Sequence, residues 1–296
     1  MALQPRLHWI TSSDSLLQLA VHEYDALGPP CLLLHGNGLS GRTFEAVSRR
    51  LVAGGLRVYA VDFRGHGCSV PLPQGDLHWP RFAADVLAVQ DALHLHSCFA
   101  FGHSLGGAAL LLAEASRPGS FAALYLYEPV VAPNAVPGAA AHPWDARMVP
   151  LISGARRRRR AFASRDEALA AYAAKPPFSH LRRDCLSAYV QHGFRPTPTG
   201  TGVELACAPE TEAAIFEQGP RAGILPLRPR VRCRVTVAVG GRDAADGPAQ
   251  AAPGVCAGCR DVRLETFPEV GHLGPLEAPE LLGERALRTF LPQARL

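Results

Sequence analysis

The sequence has almost no lysine, since Lys175 stands alone among 30 lysine and arginine residues. It also has little excess charge, because 26 acidic residues leave a formal net charge of +4, too small to indicate a nucleic-acid-binding protein. No segment approaches the roughly 18 apolar residues needed to span a bilayer, and Met1 to Ile10 lacks the apolar stretch of a signal peptide. We therefore expect a cytoplasmic protein without a membrane span or a nucleic-acid partner.

The sequence lacks a dense cysteine framework as well. Its eight cysteines are scattered over the chain, which is typical of reduced thiols rather than of a disulfide scaffold. Cys256 and Cys259 form one CxxC pair, but a zinc site needs a second pair of ligands that the sequence does not clearly provide. We expect neither a metal nor an organic cofactor.

Alternating strand and helix patterns at both ends of the chain predict an α/β protein with a mostly parallel sheet flanked by helices. The predicted strands begin with the weakly alternating segment Leu16–Tyr24 and continue with Cys31–Leu34, Arg57–Val61, Ser97–Phe101, Phe121–Tyr127, Arg232–Val239 and Val262–Phe267. Helices are predicted from Trp79 to Leu93, from Leu105 to Ala115 and from about Pro279.

The middle of the chain interrupts this alternation with helix candidates only. Ser164 to Glu167 has the pattern of a capping box at the start of one helix, which Pro176 and Pro177 would end. Further helices are predicted over 180–191 and 210–218. We therefore predict a core formed by residues 1–133 and 229–296, with a helical insertion over residues 134–228.

The segment Gly102-His-Ser104-Leu-Gly106-Gly lies between a predicted strand and a predicted helix. A serine on such a sharp turn has a strained backbone, and side chains two positions before and after it would collide, so glycine is required there. The turn also directs helix N–H groups towards the serine hydroxyl. Ser104 is therefore a candidate nucleophile.

A serine hydroxyl needs a base and an acid to become nucleophilic at neutral pH. His272 is the best-placed base, because it lies in a glycine-containing loop between the last strand and the last helix. Asp243 follows the strand that ends at Val239, at the sheet edge where Ser104 is expected, and is the preferred acid. Asp246 and Glu128 remain alternatives for this role.

Glycines around Asn37 indicate a candidate oxyanion hole. His35-Gly-Asn37-Gly follows the predicted 31–34 strand, and its backbone could bring the N–H of Asn37 beside the N–H of Leu105. The tight loop from Asp62 to Ser69 is interpreted as support for the sheet edge.

The order and spacing of HGNG, DFRGHGCS, GHSLGG, GGRD and VGHLGPLEAPE resemble the α/β-hydrolase fold superfamily over nearly the whole chain outside 134–228. The resemblance implies that Ser104 is the nucleophile, His272 the general base and Asp243 the orienting acid. It also implies that Asn37 and Leu105 supply the oxyanion N–H groups and that the insertion is a lid.

These features predict a serine hydrolase that cleaves a carboxylic ester or a related small-molecule acyl compound through an acyl-enzyme. The same residues could serve an acyltransferase, a thioesterase, a lactonase or a C–C bond hydrolase, and the fold could instead form a non-catalytic binding protein. The run Arg156 to Arg160 is interpreted as a solvated part of the insertion rather than a nucleic-acid site. Most aromatic residues of the insertion are expected to pack its helices, with one or two facing substrate.

Overall fold

The structure is a computed structural model that describes residues 4–69, 76–131, 143–219, 223–242 and 248–291. Its strands, in chain order, are β1 (Arg6–Thr11), β2 (Gln18–Tyr24), β3 (Pro30–Leu34), β4 (Arg57–Val61), β5 (Cys98–His103), β6 (Phe121–Tyr127), β7 (Ala161–Phe162), β8 (Phe194–Pro196), β9 (Val203–Leu205), β10 (Arg234–Gly240) and β11 (Val262–Phe267).

The helices lie between these strands. In chain order they are α1 (Glu45–Ala53), α2 (Trp79–Ala92), α3 (Leu105–Ser116), α4 (Pro143–Arg156), α5 (Arg165–Ala173), α6 (Arg183–His192), α7 (Pro209–Gln218), α8 (Ala252–Cys256), α9 (Gly274–Glu277) and α10 (Pro279–Phe290). Short 3-10 turns cover Gly41–Phe44, Phe178–His180, Leu225–Arg230 and Pro248–Ala251. No helix in the described ranges is long and apolar enough to cross a membrane.

The described strands form an eight-stranded sheet in the order β1-β2-β4-β3-β5-β6-β10-β11. From β4 to β11 all neighbouring strands are parallel, whereas β2 is antiparallel to both β1 and β4. The mostly parallel sheet with flanking helices predicted from the sequence is therefore confirmed.

Helices cover both faces of this sheet, which explains why its central strands are continuous apolar runs. In β3, Leu32 and Leu34 pack in the cluster that contains α2 and α3, while Cys31 and Leu33 pack in the cluster that contains α1 and α10. All four side chains are fully buried. Burial of a leucine side chain contributes about 1.5–3 kcal/mol, so these strands anchor the sheet under the site.

The predicted helical insertion is present between β6 and β10, and it contains α4 to α7. Ser164 caps α5, because its Oγ accepts a hydrogen bond from the Glu167 N–H at 3.1 Å. The insertion also contains a three-stranded sheet in the order β7-β9-β8, which was not predicted. The boundaries of the whole insertion, at 133/134 and 228/229, stay a prediction. The first lies outside the described residues, and the second lies within a 3-10 turn.

Candidate active site

The carboxyl ends of four adjacent strands, β3, β5, β6 and β10, lie at one edge of the sheet. Each continues into one of the segments singled out in the sequence: β3 into the HGNG loop, β5 into Ser104, β6 into Glu128 and β10 into the GGRD segment. The loop after β11 carries His272. Parallel strands bring these distant segments together, as expected for an open α/β sheet.

Ser104 occupies the sharp turn that the sequence predicts. Its φ of +54° is in the left-handed region that residues other than glycine rarely adopt, and α3 begins at the next residue. The Ser104 N–H donates a hydrogen bond to the Tyr127 carbonyl at 3.0 Å, which ties the turn to the end of β6. Strain of this kind persists only where surrounding structure enforces it, and it is concentrated at functional sites.

The glycines on either side of Ser104 have the steric role expected of them. A Cβ atom on Gly102 would lie 2.8 Å from the backbone nitrogen of Gly107. A Cβ atom on Gly106 would lie 2.6 Å from the carbonyl carbon of Leu34. Both distances are shorter than real Cβ contacts allow, so the turn could not close with larger residues at these two positions.

The imidazole of His272 contacts the carboxylate of Glu128, the residue that directly follows β6. Its Nδ1 lies 2.7 Å from Oε2 of Glu128, whose side chain is 2% exposed. The other carboxylate oxygen, Oε1, accepts a hydrogen bond from the Gly240 N–H at 2.8 Å. Glu128 thus connects the ends of β6 and β10 and holds the histidine ring.

Asp243 and Asp246, the other two acid candidates, lie outside the described residues. The structure therefore places Glu128, an alternative in the sequence prediction, at the histidine, and Asp243 stays a prediction. Glu128 has a signal in the sequence, since it follows directly on a predicted central strand. Its φ of +44° marks a second turn with a left-handed backbone at the same sheet edge as Ser104.

Two further contacts fix the loop that carries His272. His103, next to the candidate nucleophile, is buried, and its Nε2–H donates to the backbone carbonyl of His272 at 2.9 Å. The Tyr127 hydroxyl donates to the Gly271 carbonyl at 2.7 Å. Sequence reasoning did not assign His103 a role. Because it joins the nucleophile turn to the base loop, we interpret it as a positioning residue.

Two buried histidines hold the HGNG loop. Nε2 of His35 accepts a hydrogen bond from the Phe63 N–H, and Nε2 of His66 accepts one from the Gly38 N–H, both at 3.0 Å. Burial lowers the pKa of His35 to about 4 and that of His66 to about 3. Both rings are therefore neutral at pH 7, as an accepting ring nitrogen requires. These contacts fit the interpretation of the loop from Asp62 to Ser69 as structural support.

A cavity of about 790 Å³ opens over these groups, and Ser104, His272, Asn37 and Leu105 all line it. Leu105 is the first residue of α3, where backbone N–H groups have no partner within the helix. The remaining wall is largely apolar and comes from core and insertion alike, including Leu39, Trp79, Val130, Met148, Leu151 and Leu273.

The aromatic residues of the insertion divide as the sequence predicts. Phe178 and Phe216 line the cavity. Most of the others form a cluster of tilted and edge-to-face contacts with one another, among them Phe162, Tyr172, Tyr189 and Phe194. The insertion therefore has its own packed centre and also forms part of the cavity wall.

One arginine of the run Arg156 to Arg160 departs from the solvated role predicted for it. The Arg158 side chain is 16% exposed, lines the cavity and forms an ion pair with Glu212. Its guanidinium also donates to the hydroxyls of Tyr172 and Tyr189. Arg156, Arg159 and Arg160 are exposed and pair with surface glutamates, as expected of a solvated segment.

Glu212 connects this arginine to the candidate oxyanion loop. Its backbone carbonyl accepts a hydrogen bond from the Asn37 side-chain amide at 2.8 Å. A Cβ atom on Gly38 would lie 2.8 Å from Oε1 of Glu212, and the φ of +76° at this position is one that residues other than glycine rarely adopt. The insertion thus contacts the HGNG loop through Arg158 and Glu212.

Comparisons with known proteins agree with this geometry. The sequence profile of the Alpha/beta hydrolase family matches residues 31–285. Over 112 residues the chain is 36% identical to an sn-1-specific diacylglycerol lipase of Xenopus tropicalis, and over 106 residues it is 37% identical to a monoglyceride lipase of Homo sapiens. These alignments cover 36% and 34% of this chain, and the chain spans about a third of the length of each relative.

Among solved structures, an esterase from Exiguobacterium antarcticum superposes with a TM-score of 0.72 at 19% identity. The superposition covers 94% of this chain and 96% of the esterase. At this identity the similarity concerns the fold alone, and it extends to almost the entire chain.

Proposed function

Since the chain belongs to the alpha/beta hydrolase family, we propose that it is a serine hydrolase that cleaves a carboxylic ester or a related acyl compound. The observation that carries this proposal is the shared cavity, in which the strained Ser104 and the Glu128-bound His272 both line the wall. A purely binding protein of this fold has no need for that combination.

In the first half-reaction, the Ser104 hydroxyl attacks the substrate carbonyl while His272 accepts its proton. Glu128 holds the ring through Nδ1, so that Nε2 is the nitrogen available to the serine, and its negative charge stabilises the imidazolium that forms. The backbone N–H groups of Asn37 and Leu105 hold the oxyanion of the tetrahedral intermediate. One such donor contributes roughly 3 kcal/mol to transition-state stabilisation.

The first half-reaction ends when the tetrahedral intermediate collapses: the protonated His272 gives its proton to the leaving alcohol, and the acyl group stays on Ser104. In the second half-reaction, His272 removes a proton from a water molecule, which attacks the acyl-enzyme, and the protonated ring then returns that proton to the Ser104 oxygen as the acid leaves. The apolar wall formed by Leu39, Trp79 and Phe216 supports an apolar acyl group as substrate. The insertion over 134–228 acts as the lid of this cavity, and the cytoplasmic location expected from the sequence stays a prediction.

A panel of p-nitrophenyl esters of graded acyl length tests the proposal. We expect the wild type to hydrolyse at least one ester and Ser104→Ala to lose roughly 10⁴-fold or more in kcat. A Ser104→Ala variant that keeps full activity would contradict the assignment. Failure of the whole panel in well-folded protein would favour a non-catalytic binding protein instead.

A further inference from the structure

A cysteine, a histidine and an aspartate meet outside the candidate active site. His22 lies in β2, and Asp62 and Cys68 lie in the loop after β4. A ring nitrogen of His22, a carboxylate oxygen of Asp62 and Sγ of Cys68 are all within 4.8 Å of one another. His22 and Asp62 are buried, whereas Cys68 is exposed. Cys68 is therefore the exposed member of the cluster.

The Asp62 carboxylate fixes the geometry of the cluster. Its Oδ1 accepts a hydrogen bond from the Gly41 N–H and its Oδ2 one from the Cys68 N–H, each at 2.7 Å. Oδ2 also lies 3.1 Å from Nε2 of His22. Gly67, with a φ of +52°, passes so close that a Cβ atom would collide with this carboxylate. Asp62 therefore holds both the His22 ring and the backbone of Cys68.

His22 carries a positive charge at neutral pH. Burial lowers the pKa of His22, but the hydrogen bond and negative charge of Asp62, together with the contact to Cys68, outweigh this effect and raise it to about 9. Its cross-strand neighbours, Leu7 on β1 and Ala60 on β4, are uncharged.

Two other titratable groups interact with His22 through space, namely His35 after β3 and His192 on α6. Burial lowers the pKa of each to about 4, so neither competes for the charge at pH 7. The positive charge next to Cys68 therefore belongs to His22.

The thiolate is the nucleophilic form of cysteine, and a neighbouring imidazolium stabilises it. We propose that Cys68, activated by His22, is a modification site that reacts with low-molecular-weight disulfides. The Cys68 thiol loses its proton to solvent, and the thiolate attacks one sulfur of the disulfide. A new S–S bond forms to Cys68 while the old one breaks, and the other half of the reagent leaves as a thiolate. Cys68 is oxidised, the reagent is reduced, and His22 keeps its proton throughout.

The other cysteines differ from Cys68 in exposure. Cys256 and Cys259 are half-buried, and burial raises the pKa of both thiols, that of Cys259 to about 11. The remaining five are buried, namely Cys31, Cys98, Cys185, Cys207 and Cys233. We therefore expect a single fast-reacting thiol in the folded protein.

Reaction of the native protein with 4,4′-dithiodipyridine at pH 7 tests the proposal. We expect one fast phase that mass spectrometry assigns to Cys68 and that Cys68→Ser removes. His22→Gln should slow this phase at least about tenfold, since it removes the stabilising charge. His8→Gln is the matched control, because His8 is also paired with a carboxylate, that of Glu23, on the adjacent strand. In His8→Gln the rate of the fast phase at Cys68 should stay within about twofold of the wild-type rate.

A second measurement needs only the wild type, in case His22→Gln does not fold. At pH 7 the rate constant at Cys68 should exceed that of free glutathione, measured alongside with the same reagent, at least about tenfold. A fast thiol other than Cys68, an unchanged rate in folded His22→Gln, or a rate at Cys68 no greater than that of glutathione would each overturn the proposal.

Discussion

Nδ1 of His272 lies 2.7 Å from Oε2 of Glu128, although 144 residues separate the two in the sequence. The contact exists because β6, β10 and β11 are consecutive parallel strands of the sheet, so Glu128 after β6 and the loop after β11 lie at the same edge. It favours Glu128 as the carboxylate that orients the candidate base, while Asp243 stays the alternative to be tested.

We predict that Glu128→Gln lowers kcat by 10²- to 10⁴-fold, because an amide can neither fix the histidine tautomer nor stabilise its charged form. The measurement is steady-state hydrolysis of the best p-nitrophenyl ester, with circular dichroism to confirm folding. Asp243→Asn provides the comparison and should cost less than tenfold. The opposite ranking of these two variants would assign the orienting role to Asp243.

The close approach of Gly106 to β3 predicts a large cost for a single methyl group. Gly106→Ala should lower the free energy of unfolding by about 2 kcal/mol or more and abolish esterase activity, since the new Cβ would press on the Leu34 backbone. Gly154→Ala in α4 is the matched control, because nothing lies within 4 Å of its Cβ position. Chemical denaturation should show that this control is neutral or slightly stabilised. Equal losses in both variants would refute the steric argument.

Arg158 should be the one member of the arginine run on which stability depends. Arg158→Met leaves the carboxylate of Glu212 buried without its cation, which predicts a loss of roughly 3–5 kcal/mol in unfolding free energy. Arg156→Met removes an exposed ion pair with Glu217 and should change stability by no more than about 0.5 kcal/mol. Denaturant titration of the two variants checks this, and similar values for both would show that the burial of Arg158 is energetically irrelevant.

Stability should fall steeply in mild acid because His35 and His66 are held neutral. Their folded pKa values, about 4 and about 3, lie below the ordinary 6.5, so below pH 6.5 the unfolded chain binds more protons than the folded one. Each histidine should lower the unfolding free energy by up to about 1.4 kcal/mol per pH unit between pH 6.5 and 4.

Denaturant titrations at a series of pH values measure this slope. His66→Gln should reduce it by the contribution of one histidine, while His96→Gln, at an exposed position, should leave it unchanged. A slope in His66→Gln identical to that of the wild type would argue against a buried neutral His66.

Patterns local to the chain predicted the central strands and the turn at Ser104, because buried parallel strands are apolar runs and the turn needs glycine at fixed positions. Other elements of the structure were not predicted from the sequence. The small sheet of the insertion has strands of two or three residues, too short for any periodicity, and α4 contains Pro150, which disfavours a helix interior. In α1 the buried Ala46, Val47 and Leu51 follow helical spacing, so this helix does have a signal in the sequence.

The choice of acid could not be derived from sequence because Glu128 and Asp243 each follow a central strand. Strand adjacency and side-chain direction distinguish such candidates, and both are tertiary properties. The burial of Arg158 is also a tertiary property, and the other arginines of the run from Arg156 to Arg160 give no local signal for it because they are solvated. Its burial results from Glu212 and two tyrosines that lie 14 to 54 residues further along the chain.

Active-site labelling with a fluorophosphonate tests the central claim most directly. The account predicts that the wild type forms one covalent adduct, that peptide mass spectrometry places it on Ser104, and that Ser104→Ala is not labelled. Glu128→Gln should be labelled markedly more slowly. A well-folded wild type that resists the reagent, or an adduct on another residue, would contradict the account.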